Sequence, residues 1–160
     1  MIWMKGETQA LHLAKMMQRY IHEESYELAL PLVMVRRSRL KKLQVNDVLL
    51  LGLKTLEFVL IDGETICAKL VPKKVVSENI VEIIELTGES IKTIDSNKYE
   101  ILKLSFGMYP VKDVSLGYRV EMAEINIDNI RLMLGEKKLA EGSLVMTDHT
   151  IAVKINKVMV

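Results

Sequence analysis

Aromatic side chains are scarce in this chain: one Trp, two Phe and five Tyr in 160 residues. Half of the residues are nonetheless hydrophobic, so the core must be aliphatic, built from Val, Ile, Leu and ten Met. A single cysteine, Cys67, excludes an internal disulfide. No charge of one sign dominates, with 22 basic against 21 acidic side chains. That balance gives no global pull towards nucleic acid or an anionic membrane. No apolar run approaches the ~20 residues that would span a bilayer, and the first residues lack the apolar core and small-residue cleavage site of a secretory signal. The expectation is a cytoplasmic protein without direct membrane insertion.

Catalytic constellations are also missing. His12 and His22 fall on one predicted helix, and His149 lies in a turn far along the chain. No H-x-x-x-H, C-x-x-C or H-E-x-x-H spacing occurs, and glycines stand singly in turns without a phosphate-binding pattern. Cys67 would need a histidine beside it to act as a nucleophile. As a core residue it needs nothing, since free cysteine is among the most buried residue types. The expectation is no enzyme, with no catalytic residue, cofactor or metal.

What is present is a repeated strand grammar. Leu43 to Val71 reads as short strands joined by turns: a turn at Asn46-Asp47, the apolar run Leu49-Leu50-Leu51 broken at Gly52, a strand from Glu57 to Ile61, a hairpin turn at Asp62-Gly63, and a return strand from Thr65 to Val71. The pattern recurs as Leu132-Met133-Leu134, Gly135-Glu136, then Lys138 to Val145. Val59–Val71 and Leu132–Leu144 superpose without a gap, and each is followed by an alternating strand, Ile80 to Leu86 and Thr150 to Val158.

The remainder fills in around these hairpins. Glu7 to His22 has the three- and four-residue apolar spacing of a short amphipathic helix, and its Met16 and Met17 are candidates for a partner contact. Met34, Met122, Met133 and Met146 fall in strands, where they read as core filling. Tyr26 to Val35 is a strand with an edge or bulge at Pro31. Arg36, Arg37, Arg39, Lys41 and Lys42 form a basic run on a short helix or turn. It has no interleaved aromatics to stack on bases, so it reads as a solvated connector. Pro72-Lys73-Lys74 breaks the chain, and Thr87 to Lys98 is the most linker-like segment. Tyr99 to Phe106 is a strand punctuated by Gly107 and Pro110. Val114, Leu116, Tyr118, Val120 and Met122 alternate as a half-buried strand should.

Leu43, Asp47, Val48, Leu51, Val59, Gly63 and Ala68 together resemble the SPOA (surface presentation of antigens) domain. In the second copy, Leu116, Gly117, Met122, Glu124 and Ile125 resemble the family's opening segment. Leu134, Gly135, Ala140, Gly142, Leu144-Val145 and Ile151–Ile155 resemble its hairpin and closing strand. Two departures stand out: Asn46 replaces a usual glycine, and nothing between Ile127 and Ile130 matches Val45–Leu51, so the second copy is expected to borrow a strand or to pair imperfectly and leave an exposed edge. The fold expected is mainly β: an N-terminal helix in 1–25, an SPOA-like unit in 26–94 and a shortened one in 98–160, intertwined or barrel-like.

The resemblance implies a non-enzymatic scaffold of a type III secretion sorting platform or a flagellar-type C-ring. Its partners would be the stator protein of the export ATPase, and other SPOA-domain proteins or a longer form of itself, in a homo- or hetero-oligomer at the cytoplasmic face of the inner membrane. It also implies a short C-terminal product or a reduced homologue of the larger family members. Val59, Ile61, Leu132 and Leu134, read as edge residues of the paired hairpins, are the candidate partner-binding positions. The alternative is a small β-barrel module binding a ligand or nucleic acid through Arg36 to Lys42.

Overall fold

The computed structural model describes residues 24–75, 78–91 and 97–159. The predicted helix Glu7 to His22, with Met16, Met17, His12 and His22, lies outside them. The protein is mainly β, and its strands form one antiparallel sheet. In chain order these are β1 (Glu24–Ala29), β2 (Val33–Arg36), the short helix α1 (Arg37–Lys41), β3 (Val48–Leu53), β4 (Phe58–Asp62), β5 (Thr65–Val75), β6 (Glu78–Ser90), β7 (Tyr99–Val111), β8 (Arg119–Glu121) with a 3-10 turn at Met122–Glu124, β9 (Ile130–Leu134), β10 (Lys137–Thr147) and β11 (Thr150–Val158).

The turn chemistry sets the hairpins. Gly63 and Gly135 take φ of +63° and +57°, a region that costs L side chains energy but not glycine. Each opens a two-residue turn with a glutamate second, Glu64 and Glu136. Asp62, predicted as a turn residue, is the last paired residue of β4, opposite Thr65. Asn46 enters β3 at φ +77°. Asp47 then accepts the Gln44 N–H at 2.8 Å.

Several predicted breaks are not breaks. β5 continues through Pro72, which pairs with Val81. The ladder to β4 ends at Leu70, so beyond it β5 has a neighbour on one side only and a missing N–H is tolerated. β7 likewise runs through Gly107 and Pro110, past the end of its pairing with β9 at Ser105. Thr87 to Ser90, predicted as linker, belong to β6. The opposite error occurs at Val114–Met122. Only Arg119–Glu121 are strand, because residues 113–118 form a turn, with the Ser115 N–H on Asp113 O and the Tyr118 N–H on Ser115 O, and meet β6 only where Gly117 and Tyr118 bond the Ile83 backbone. Alternation without a continuous ladder does not make a strand.

The strand order is β3-β11-β10-β9-β7-β1-β4-β5-β6-β8, with β2 also on β7. Read from either end, it exchanges the halves of the chain: β3 answers β8, β11 answers β6, β10 answers β5, β9 answers β4, and β7 answers β1. The register repeats too. The β4–β5 ladder pairs Ile61 with Ile66 and Leu60 with Ala68, bypassing Cys67. The β9–β10 ladder pairs Met133 with Lys138 and Leu132 with Ala140, bypassing Leu139. A second bulge bypasses Ile84 in β6 and Asn156 in β11. One constant spacing, that from Gly63 to Gly135, carries each of these pairs onto the other.

That spacing corrects the predicted superposition by one residue: Val59 answers Arg131, and Leu60 answers Leu132. The correction matters because a one-residue slip sends every side chain to the opposite face. Leu60 and Leu132 are both in the main core, whereas Val59 sits in a separate cluster. The missing strand of the second half is also found. It is β8, upstream of where it was sought, and it pairs with β6 of the first half, just as β3 pairs with β11 of the second.

At the centre, β1 lies against β7, and Ala29 faces Ser105 on the line about which the halves exchange. The first half breaks at residues 30–32, with Pro31, to give β1 and β2. The second half passes the same point as one strand, with Gly107 at φ +103°. The core is aliphatic, as the composition requires: Leu28, Leu60, Leu70, Ile83, Leu102, Leu104, Ile130 and Leu132 are all buried in it. Two of its few aromatics, Phe58 and Phe106, meet with ring centroids 5.4 Å apart.

Candidate functional site

The four predicted partner-binding residues are not on an edge. Val59 and Ile61 are buried in β4, between β1 and β5, in a cluster with Ala29. Leu132 is buried in β9, between β7 and β10, and Leu134 is half-buried at the end of that strand. The hairpins looked open in the sequence because their outer neighbours, β1 and β7, come from distant segments.

Among the described residues the strand order ends at β3 and β8, and β2 is a further strand with one partner, β7. β3 reads Val-Leu-Leu-Leu-Gly-Leu and carries no charge. Leu49 points into the core, while Leu50 is 61% exposed and Val48 39%. β8 reads Arg-Val-Glu. Its Arg119 reaches Glu82 of β6 at 3.1 Å, and Lys73 of β5 reaches the other oxygen of the same carboxylate at 2.5 Å. These bonds, Lys73 first and Arg119 second, hold Glu82 below the usual carboxylate range, against a weaker upward push from burial. At the β3 end the equivalent positions are Val48, Val145 and Lys154. The ion-paired fastening of one end is largely apolar at the other.

The surface beside each edge follows the same contrast. A groove of about 530 Å³ by β3 is lined by Leu56, Val71, Leu144, Val145, Met146 and Ile151, with Pro72, Lys54 and Thr55. Its counterpart by β8, about 320 Å³, is lined by Pro72, Lys73, Lys74, Asn79, Ile80 and Met122. Met146 and Met34, predicted as core filling, are exposed.

Most of the basic run forms α1, with Arg36 ending β2 and Lys42 just past the helix, and α1 packs against β2. Arg39, Leu40 and Leu43 share a small cleft with Asp47, Val48 and Leu49. Arg37 pairs with Glu100 at 2.7 Å, and the Arg36 guanidinium lies 5.7 Å from the centre of the Tyr99 ring. Those two cations are therefore committed within the protein.

Other titratable groups have local partners. Cys67 is half-buried at the β5 bulge rather than in the core. Its thiol donates to Thr65 O at 3.7 Å, and burial, then the Asp62 charge, pushes its pKa up, away from thiolate chemistry. His149 is in the β10–β11 turn at φ +65°. The Tyr26 hydroxyl donates to Glu24 at 2.9 Å, and that bond, with burial, pushes its pKa up to about 12. Among the described residues no group of three or more His, Cys, Asp and Glu side chains is placed to hold a metal ion, and no helix is long and apolar enough to cross a membrane.

Near the exchange line, Lys103 reaches Glu27 at 2.7 Å, and the Ser105 hydroxyl donates to the same carboxylate at 2.6 Å. Glu27 lies beside Ile61, as Lys103 lies beside Met133. They occupy equivalent positions of the two halves and carry opposite charge. Nothing in the sequence pairs residues so far apart, and the same holds for Arg119 with Glu82, whereas Lys73 and Glu82 meet across the consecutive strands β5 and β6. Compared with known proteins, the chain matches no family model and no curated protein.

Proposed function

We propose that the chain is a non-enzymatic scaffold protein of a type III secretion sorting platform or a flagellar-type C-ring. In this reading two SPOA-like units, in 26–94 and 98–160, pair within one chain and dock the stator protein of the export ATPase. The observation that carries the reading is the strand exchange. β3 completes the sheet beside β11, and β8 completes it beside β6. This supports the intertwined pairing that the sequence resemblance implies, and it accounts for the apparently missing strand of the second copy. The repeated bulges at Cys67 and Leu139 support a true repeat over two unrelated hairpins, since bulges interrupt a ladder at specific positions.

A scaffold of this kind works by presenting fixed surfaces, and a continuous sheet supplies them. Its further partners would be other SPOA-domain proteins or a longer form of itself, at the cytoplasmic face of the inner membrane. The test is an affinity pull-down of tagged protein from cells assembling an export apparatus, with bound proteins identified by mass spectrometry. The expected result is recovery of the export ATPase, its stator or a longer SPOA-domain protein. Recovery of the bait alone would overturn the reading.

A further inference from the structure

A sheet edge is a row of unpaired backbone N–H and C=O groups that a second strand can satisfy, and proteins commonly blunt such edges with short strands and charges. β8 is blunted in this way: three residues, two of them charged. β3 is not. It has six residues and no charge, and β11 is its only neighbour among the described residues. Leu50 and Val48 present apolar surface on its outward face, and the groove holding Leu56, Val145 and Met146 opens just past its end.

The charges around this edge select its occupant. Arg39 of α1 shares a cleft with Val48 and Leu49, Lys154 lies opposite Val48, Lys54 follows β3 directly in the chain, and Lys41 and Lys42 precede it by a few residues. None of the five forms an ion pair with another described residue. The acids on the same segments are fewer: Asp47, which accepts the Gln44 N–H, Glu57, and Asp148 in the turn before β11. A second copy of the chain adding its own β3 would bring the same basic groups against these, and like charges across an interface are costly. A strand that alternates apolar and acidic side chains meets no such penalty. We propose that the free edge of β3 takes up an extended acidic segment of another protein as an added strand. Backbone hydrogen bonds would supply affinity, and alternate side chains would supply specificity. The surface follows from the sheet edge and its charges, and does not depend on whether the chain serves an export apparatus.

Fluorescence anisotropy on the full chain tests this with a labelled synthetic peptide of about eight residues, strand length, alternating Val and Glu. Saturable binding is expected. A Val/Lys peptide, and a Val/Glu peptide N-methylated at alternate residues, should each bind at least about tenfold more weakly, because one loses the charge match and the other the ladder. Leu50→Glu should weaken binding to a similar degree, while Met108→Glu, at an exposed position of β7, should leave it unchanged. Absence of saturable binding, equal binding of the acidic and basic peptides, or indifference to N-methylation would each overturn the proposal. So would a dimer seen by sedimentation that Leu50→Glu dissolves, since the chain itself would then be the occupant. A pull-down that recovers no stator leaves each of these outcomes as decisive as before.

Discussion

The two ends of the sheet are built on one pairing scheme and finished in two chemistries. At one end Val48 faces Lys154 and Leu49 faces Val153. At the other Arg119 faces Glu82 and Val120 faces Val81. The first edge strand is anchored by a buried leucine and leaves apolar surface outside. The second is short and held by a carboxylate between two cations. The difference teaches that backbone pairing fixes where a strand lies, while side chains decide whether its outer edge is closed or open to another chain.

The largest effect expected from breaking this contrast is at Leu49. It is only 7% exposed, so Leu49→Ala should cost about 2–4 kcal/mol in urea unfolding. Its counterpart Val120 is half-buried on a strand of three residues, and Val120→Ala should cost clearly less. Equal costs would mean that the two edges are anchored alike.

A middle-sized effect is expected where the halves meet. Glu27→Lys or Lys103→Glu alone places like charges on groups that are each about one-fifth exposed. The double exchange restores an opposite pair. A double-mutant cycle should give a coupling of about 1 kcal/mol. A coupling near zero would mean that this pair does not help to fix the two halves against each other.

The smallest effect concerns pH. Glu82 has its folded pKa lowered by Lys73 and Arg119. Its contribution is therefore present above the unfolded carboxylate value of about 4.3 and is lost as pH falls through the folded pKa. Glu82→Gln should lower the urea midpoint at neutral pH and flatten its fall below about pH 4.3. Lys154→Gln, at the equivalent position of the other edge, should leave that acid slope intact. High salt should shrink the Glu82 effect, since Lys73 and Arg119 are about half exposed.

Local chemistry was legible in the sequence and long-range pairing was not. Gly63 and Gly135 marked their hairpins because few residues take positive φ cheaply. Ile151, Val153 and Ile155 marked β11 over its observed span, because one face of it had to be apolar. Val114 to Met122 carried the same alternation and misled, since only Arg119–Glu121 find a ladder partner. Val59, Ile61, Leu132 and Leu134 were read as edge residues for a related reason. Whether a strand is an edge depends on what pairs with its far side, and for β4 and β9 that neighbour is β1 or β7. The aliphatic run Leu49-Leu50-Leu51 announced a strand, but not that only its inner face would be covered.

The exchange of edge strands also sets a timetable for folding. β3 leaves the ribosome well before its only described neighbour, β11. Until β11 emerges, an uncharged leucine-rich strand waits unpaired, and pairings of such long sequence separation close slowly, on the millisecond-to-second scale typical of β proteins (roughly). During synthesis the chain is therefore most exposed to misassembly at a strand that has one neighbour among the described residues of the finished fold.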